Sequence, residues 1–261
     1  MREMGKITVI LSDWQVLFRE GIHFTLSGEE DIEVTGEATS GGEAFSLIES
    51  NPPRVAILNA DNGQPSGVEV THRIKQNLPG VSVILIMDSD NEEQLFSAMK
   101  SGASAAITKD IDPNDLINLI DDVAKDGHPI HQALWRPGIS ARVLAEFETF
   151  SLISQQVGGL LTHLAPSEAE ILNRIAGGSS KELAGTLGIT EEAINRQLAL
   201  ILHKLIVNDH DREVIEAVRG GLFPISNPAS AEKPAEYVTK DEFATFKGRL
   251  LERFKTIGEA S

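Results

Sequence analysis

Cysteine is absent from the 261 residues. Its absence excludes disulfides, thiolate catalysis and every zinc or iron–sulfur site built on cysteine ligands. No run of about 18 uninterrupted apolar residues occurs, so no segment reads as a membrane-spanning helix. Met1-Arg2-Glu3-Met4 leads directly into a strand-like stretch rather than a signal peptide. A cytoplasmic protein with no membrane association is therefore expected. The seven histidines are scattered without metal-ligand spacing, and neither a metal nor a cofactor is expected.

Basic charge is also scarce, and the net charge is −16. The deficit is uneven: residues 1–128 hold 9 basic and 22 acidic side chains, whereas residues 164–222 hold 6 and 9. The first segment is thus unsuited to phosphate backbones, and the second offers no strong electrostatic attraction to them.

What is present is alternation. Ile7–Leu11, Ile32–Thr35, Val55–Leu58, Val81–Ile86 and Ser104–Ile107 read as buried strands. Between and after them, Val16–Leu26, Gly42–Ile48, Val68–Gln76, Glu92–Met99 and Asp115–Val123 carry apolar residues at helical spacing. Five strand–helix repeats predict a doubly wound, five-stranded parallel sheet over residues 1–128. In such a sheet a ligand crevice opens at the carboxyl ends of the strands, which directs attention to the loops after Leu11, Leu58, Ile86 and Ile107.

Residues 129–163 read as a helical connector that spaces two domains, with a break at Pro137-Gly138 and a helix from about Ser140 to Ser154. Residues 164–222 show no strand pattern and predict four short helices. Pro166 opens one, Gly177-Gly178 ends it, and Ser179 with Glu182 forms a capping box for the next. Gly188-Ile189-Thr190 then turns into a helix with Ile194, Leu198, Ile201 and Leu205 inward. Residues 223–261 combine a proline-containing linker with a last amphipathic helix bearing Phe243, Phe246, Leu250, Phe254 and Ile257. That stripe suits either packing on its own chain or a coiled-coil or docking role.

Phe18-Arg19-Glu20-Gly21 and Ser101-Gly102-Ala103-Ser104-Ala105-Ala106-Ile107-Thr108-Lys109-Asp110 give Ile7–Asp126 the look of a response-regulator receiver domain. The resemblance implies an acidic pair after the first strand, a phospho-accepting Asp after the third, a hydroxyl after the fourth and a Lys after the fifth. In this chain those positions are Asp13-Trp14, Asn59, Met87 and Lys109. An amide is no nucleophile toward a phosphoryl donor, and one remaining carboxylate is a poor Mg²⁺ site. Met87 cannot hydrogen-bond a phosphoryl oxygen, and the aromatic switch position falls on Ala106. A degenerate receiver, kept as an interaction module, is the expectation. Asp61 is a weaker alternative acceptor, Lys109 is expected in a standing ion pair with Asp13, and Trp14 is expected as filling for the crevice.

Leu164–Leu172, Ala176–Ala184, Leu187–Thr190 and Ile201–Leu205 resemble the helix-turn-helix domain of LuxR/NarL-family regulators. The resemblance places a recognition helix at about Glu191–Leu205 in the major groove. Asn195, Arg196 and Ala199 would face bases, while Lys181, Thr190 and Lys204 would contact the backbone. The chain departs from type at Asn195, where the family carries Lys, and at Leu200, where it carries a polar residue, so weak DNA affinity is expected. A phosphorylation-independent, non-enzymatic regulator acting on DNA as a homodimer follows, with a partner regulator protein as a further candidate partner. The competing expectation is a protein-interaction adaptor that has lost DNA binding.

Overall fold

The protein is described by a computed structural model that defines residues 6–156, 159–178 and 183–222. Strands β1 (Ile7–Ser12), β2 (Ile32–Ala38), β3 (Val55–Asn59), β4 (Ser82–Met87) and β5 (Ala105–Thr108) alternate with α1 (Val16–Ser27), α2 (Gly41–Ser50), α3 (Gly67–Asn77), α4 (Glu92–Lys100) and α5 (Pro113–Ala124). All pairings are parallel and the strand order is β2-β1-β3-β4-β5. The expected doubly wound sheet is the observed one.

Its two faces follow from strand alternation. Val9, Leu11, Val55, Ile57, Ile84 and Ile86 pack with Ile22, Leu26, Leu116 and Ile120 of α1 and α5 into one core cluster. The intervening Ile10, Ala56, Leu58, Val83 and Leu85 are equally buried and point to the opposite face, which α2, α3 and α4 contact. Local chemistry fixes the helix starts. Ser40, Ser66, Asn91 and Asp112 each accept a backbone N–H of the first turn, and Ser66 with Glu69 completes a capping box.

The connector is helical, and it packs closely against its neighbours. A 3₁₀ helix (Pro129–Trp135) leads into α6 (Pro137–Gln156), which buries Ile139, Val143, Phe147 and Phe150 and contacts α4. Pro137 opens α6 instead of breaking it, because a proline in the first turn of a helix forfeits no intrahelical hydrogen bond. Three further helices follow: α7 (Pro166–Ala176), α8 (Leu183–Leu187) and α9 (Glu191–Leu222). Gly177 caps α7, and Gly178 and Gly188 take positive φ as the two turns require.

The last helix is the main departure from expectation. It does not stop near Leu205 but runs for 32 residues. Asn208 and Asp209, residue types that often end helices, are buried here with their side chains spent on distant partners. Asn208 accepts from the Thr162 amide at 2.8 Å and donates to the Thr162 carbonyl at 2.7 Å. Asp209 pairs with Lys100 of α4 at 2.9 Å. With those groups satisfied by tertiary contacts, nothing competes with the helical backbone.

The chain separates into two compact units, residues 1–209 and 210–261. In the second, residues 210–222 continue α9. The Ser179–Glu182 capping box, Lys181, the linker and the last amphipathic helix lie outside the described residues.

Candidate functional site

β1 lies between β2 and β3, so the loops leaving β1 and β3 diverge and open a crevice at their carboxyl ends. Asp13 directly follows β1 and Asn59 ends β3. Glycine at position 67 lets α3 start against this site, since a Cβ there would stand 2.1 Å from the Asn59 carbonyl oxygen.

The two residues satisfy each other. Asn59 Nδ2 donates to Asp13 Oδ2 at 2.8 Å, and Asn59 Oδ1 accepts from the Asp61 amide at 2.8 Å. The second Asp13 oxygen accepts from the Gln15 amide at 2.7 Å. Asp13 is 2 % exposed and Asn59 is fully buried. A buried carboxylate thus finds its hydrogen bonds inside the protein, with an amide where a second carboxylate would repel it. Arg19 closes the rear, donating to the Asp13 carbonyl at 2.8 Å and to Glu37 at 2.8 Å. Partial burial works against ionisation of Glu37, but hydrogen bonds from His23 and Arg19 outweigh it and hold the carboxyl below its ordinary pKa.

Lys109, after β5, does reach the crevice, but its close partner is Asp88 at 2.6 Å; Asp13 Oδ2 is 3.9 Å away. The expected Asp13 pair is therefore secondary. Asp88 had a readable signal, because it immediately follows β4 and so sits on the same rim. Met87 is buried beneath it. Trp14 does not fill the crevice: it is 55 % exposed, with the Lys109 ammonium 5.8 Å from its ring centroid and 5.7 Å from that of Phe18. Asp61 is exposed, and its amide rather than its carboxylate serves Asn59.

In the helical segment α8, the Gly188–Thr190 turn and α9 form a helix-turn-helix. Thr190 accepts the Ala193 amide at 3.2 Å, which commits it to capping α9. Ile194, Leu198, Ile201 and Leu205 are completely buried, while Arg196, Ala199 and His203 are exposed. Arg196 lies 3.9 Å from Glu192 one turn earlier. Two expected contact residues are engaged internally. Lys204 Nζ lies 2.7 Å from Oε2 of the buried Glu168, and Asn195 Oδ1 accepts the Trp135 indole N–H at 2.8 Å. Trp135 was not legible as a partner, although a partly buried indole N–H usually finds an acceptor. On the outer face of α9, Leu200 is 51 % exposed.

Residues 9–121 match the family described as "Response regulator receiver domain". Over 229 residues the chain is 28% identical to the "Transcriptional regulatory protein DegU" of Brevibacillus brevis, covering 83% of this chain and 95% of that protein. Over 206 residues it is 28% identical to the "Nitrate/nitrite response regulator protein NarL" of Escherichia coli (strain K12), covering 78% and 92%. Among solved structures, the signal receiver domain of the putative response regulator NarL from Mycobacterium tuberculosis shares 30% identity over 46% of this chain and 98% of that one, with a TM-score of 0.45. Residues 9–121 thus match the receiver-domain family, and the chain is similar over most of its length to regulators of the DegU and NarL kind.

Proposed function

We propose that this chain is a cytoplasmic, non-enzymatic DNA-binding transcription regulator whose output does not depend on phosphorylation of its receiver. The observation that carries the reading is the 2.8 Å hydrogen bond from Asn59 to Asp13. A phosphoryl acceptor must be a free nucleophile beside a metal site. Here the corresponding group is an amide with both ends engaged, and the Asp13 carboxylate has both oxygens engaged as well. Incubation with acetyl phosphate and Mg²⁺ should leave no base-labile adduct; a stoichiometric adduct on Asp61 or Asp13 would end the proposal.

DNA as partner rests on homology to transcriptional regulators and on the α8–turn–α9 unit, whose outer face presents Arg196, Ala199 and His203. Arg196 suits guanine or a phosphate, and Asn195, once parted from Trp135, suits adenine. Lys181 would contact the DNA backbone, and Thr190, whose hydroxyl accepts the Ala193 amide as the cap of α9, would have its proton left to donate to a phosphate. A homodimer would double these few contacts through effective concentration. Leu17 and Phe24, one above the other on α1 and 89 % and 84 % exposed, offer an apolar surface for it.

The second reading is a protein-interaction adaptor that has given up DNA. It is favoured by Leu200 exposed on the face that would enter the groove and by Lys204 and Asn195 being occupied. Titration against the chain's own promoter region at two salt concentrations separates the two. Sequence-selective binding that Arg196→Ala and Asn195→Ala abolish supports the regulator. A stable complex with a partner regulator and no selective DNA binding supports the adaptor.

A further inference from the structure

β5 is the edge strand of the sheet, and its outer side is covered by the 3₁₀ helix rather than by another strand. The cover is anchored by the Ile130 amide donating to the Ser104 carbonyl at 3.1 Å. Beyond that anchor the two elements part and leave a cleft of about 360 Å³, open on one side. Leu95, Ala105, Ala106, Leu119, Ile130 and Ala133 are among the residues that line it. Of the three alanines, Ala105 packs into the core cluster on one face of the sheet, and larger residues at positions 106 or 133 would narrow the gap.

An open cleft of that size is filled by water that an apolar ligand can displace, and small-molecule sites begin at roughly 300 Å³. The polar groups at the mouth define what would fill it. Arg136 and Gln132 line the rim. Arg136 is fixed by two hydrogen bonds to Asp90, at 2.7 and 3.1 Å. That pair neutralises its charge, holds its planar face still and leaves the remaining guanidinium N–H donors of the five. No uncompensated charge lines the cleft, so an ionic ligand would gain little, whereas a flat ring gains both the apolar walls and a stacking partner.

We propose that this cleft binds a flat, uncharged aromatic small molecule of one or two rings carrying a hydrogen-bonding group that meets Gln132. Its occupant is felt at α9, because Ala133 and Arg136 flank Trp135, whose indole N–H holds Asn195. The site does not depend on DNA being the output of the chain, and its test uses no DNA.

The test is a titration of the full chain, labelled at isoleucine methyls and indole nitrogens, with 2-naphthol. Saturable shifts of Ile107 and Ile130 methyls are expected, with a Kd of roughly a millimolar or tighter. The Trp135 indole signal should move with them while that of Trp14 stays. Ala106→Phe, which adds bulk to the lining, should weaken binding at least tenfold with the remaining spectrum unchanged. Ala133→Leu provides the same test from the 3₁₀ helix should the first variant fold poorly. Shifts that do not saturate, equal affinity in the folded filled variant, or a static Trp135 signal at saturation would each overturn the proposal.

Discussion

Replacing Asn59 by Asp tests the crevice most severely, because the substitution changes almost nothing but charge. The native amide donates to Asp13 Oδ2 at 2.8 Å. A carboxylate in its place donates nothing and brings a like charge to the same distance. At an effective dielectric of about 20 that repulsion is worth roughly 6 kcal/mol. Lys109 stands 3.9 Å from the same Asp13 oxygen and would return about 4 kcal/mol by closing on the new group at similar range. Adding about 1 kcal/mol for the lost hydrogen bond gives a net destabilisation of about 3 kcal/mol at neutral pH.

The sign with pH is defined. The new carboxyl has its folded pKa raised above the unfolded value near 4, so the native state holds more protons than the unfolded one across that interval. The variant's stability therefore falls as pH rises from about 4 to 6, and its deficit vanishes below about 4. Urea denaturation of both proteins at several pH values reads this directly. Added Mg²⁺ should recover part of the loss in the variant, which has two carboxylates to offer, and leave the parent unchanged. Equal stability of the two proteins from pH 4.5 to 8 would refute the account of Asn59 as the neutral partner of Asp13.

Three further outcomes are expected. Trp135→Phe removes the hydrogen bond to Asn195 and should raise DNA affinity about fivefold if that contact holds the recognition face back; gel-shift titration measures it, and unchanged affinity refutes it. Lys204→Ala strands the buried Glu168 carboxylate and should cost about 3 kcal/mol of stability, so a thermal melt must fall along with any DNA binding. The double variant Leu17→Glu, Phe24→Glu should convert the proposed dimer to a monomer in sedimentation while the secondary structure of the chain is kept, because both side chains are exposed in the single chain; a persistent dimer removes α1 from the interface.

The sheet was legible because parallel strands covered on both faces must be apolar throughout, and the helices between them must be amphipathic. Every strand from Ile7 to Thr108 and every helix from Val16 to Ala124 lies within two residues of its expected bounds except β2, which runs three residues past Thr35 to Ala38. The crevice was legible for a related reason, since topology places the residues after β1, β3, β4 and β5 together. What escaped was set by contacts distant in sequence. Nothing around Asn208 announces that Thr162 will absorb its side chain, so the length of α9 could not be read. Nothing near Asn195 names Trp135, which lies 60 residues earlier. Trp14 misled for a different reason. A large aromatic beside a crevice suggests filling, but Lys109 and Phe18 already occupy its neighbourhood and leave its ring on the rim.

If the crevice, satisfied by its own hydrogen bonds, takes no phosphoryl group as proposed, control of the helical segment would fall to the other end of the contact chain. Phosphorylation ordinarily supplies free energy at the strand ends, and here Asp13, Asn59 and Lys109 are each already paired. The Trp135–Asn195 bond is a much softer element. A single neutral hydrogen bond contributes about 1 kcal/mol net, and its release leaves the Lys204–Glu168 pair and the Asn208–Thr162 clasp intact, because both lie wholly within the helical segment. The Lys100–Asp209 pair, which runs from α4 to α9, resists such a movement. On the proposed reading, recognition of DNA through Arg196 and Asn195 would have to outweigh at least these two contacts, a few kcal/mol, which lies within what one or two good base contacts provide. A ligand acting on the 3₁₀ helix needs only a fraction of that energy to shift the balance.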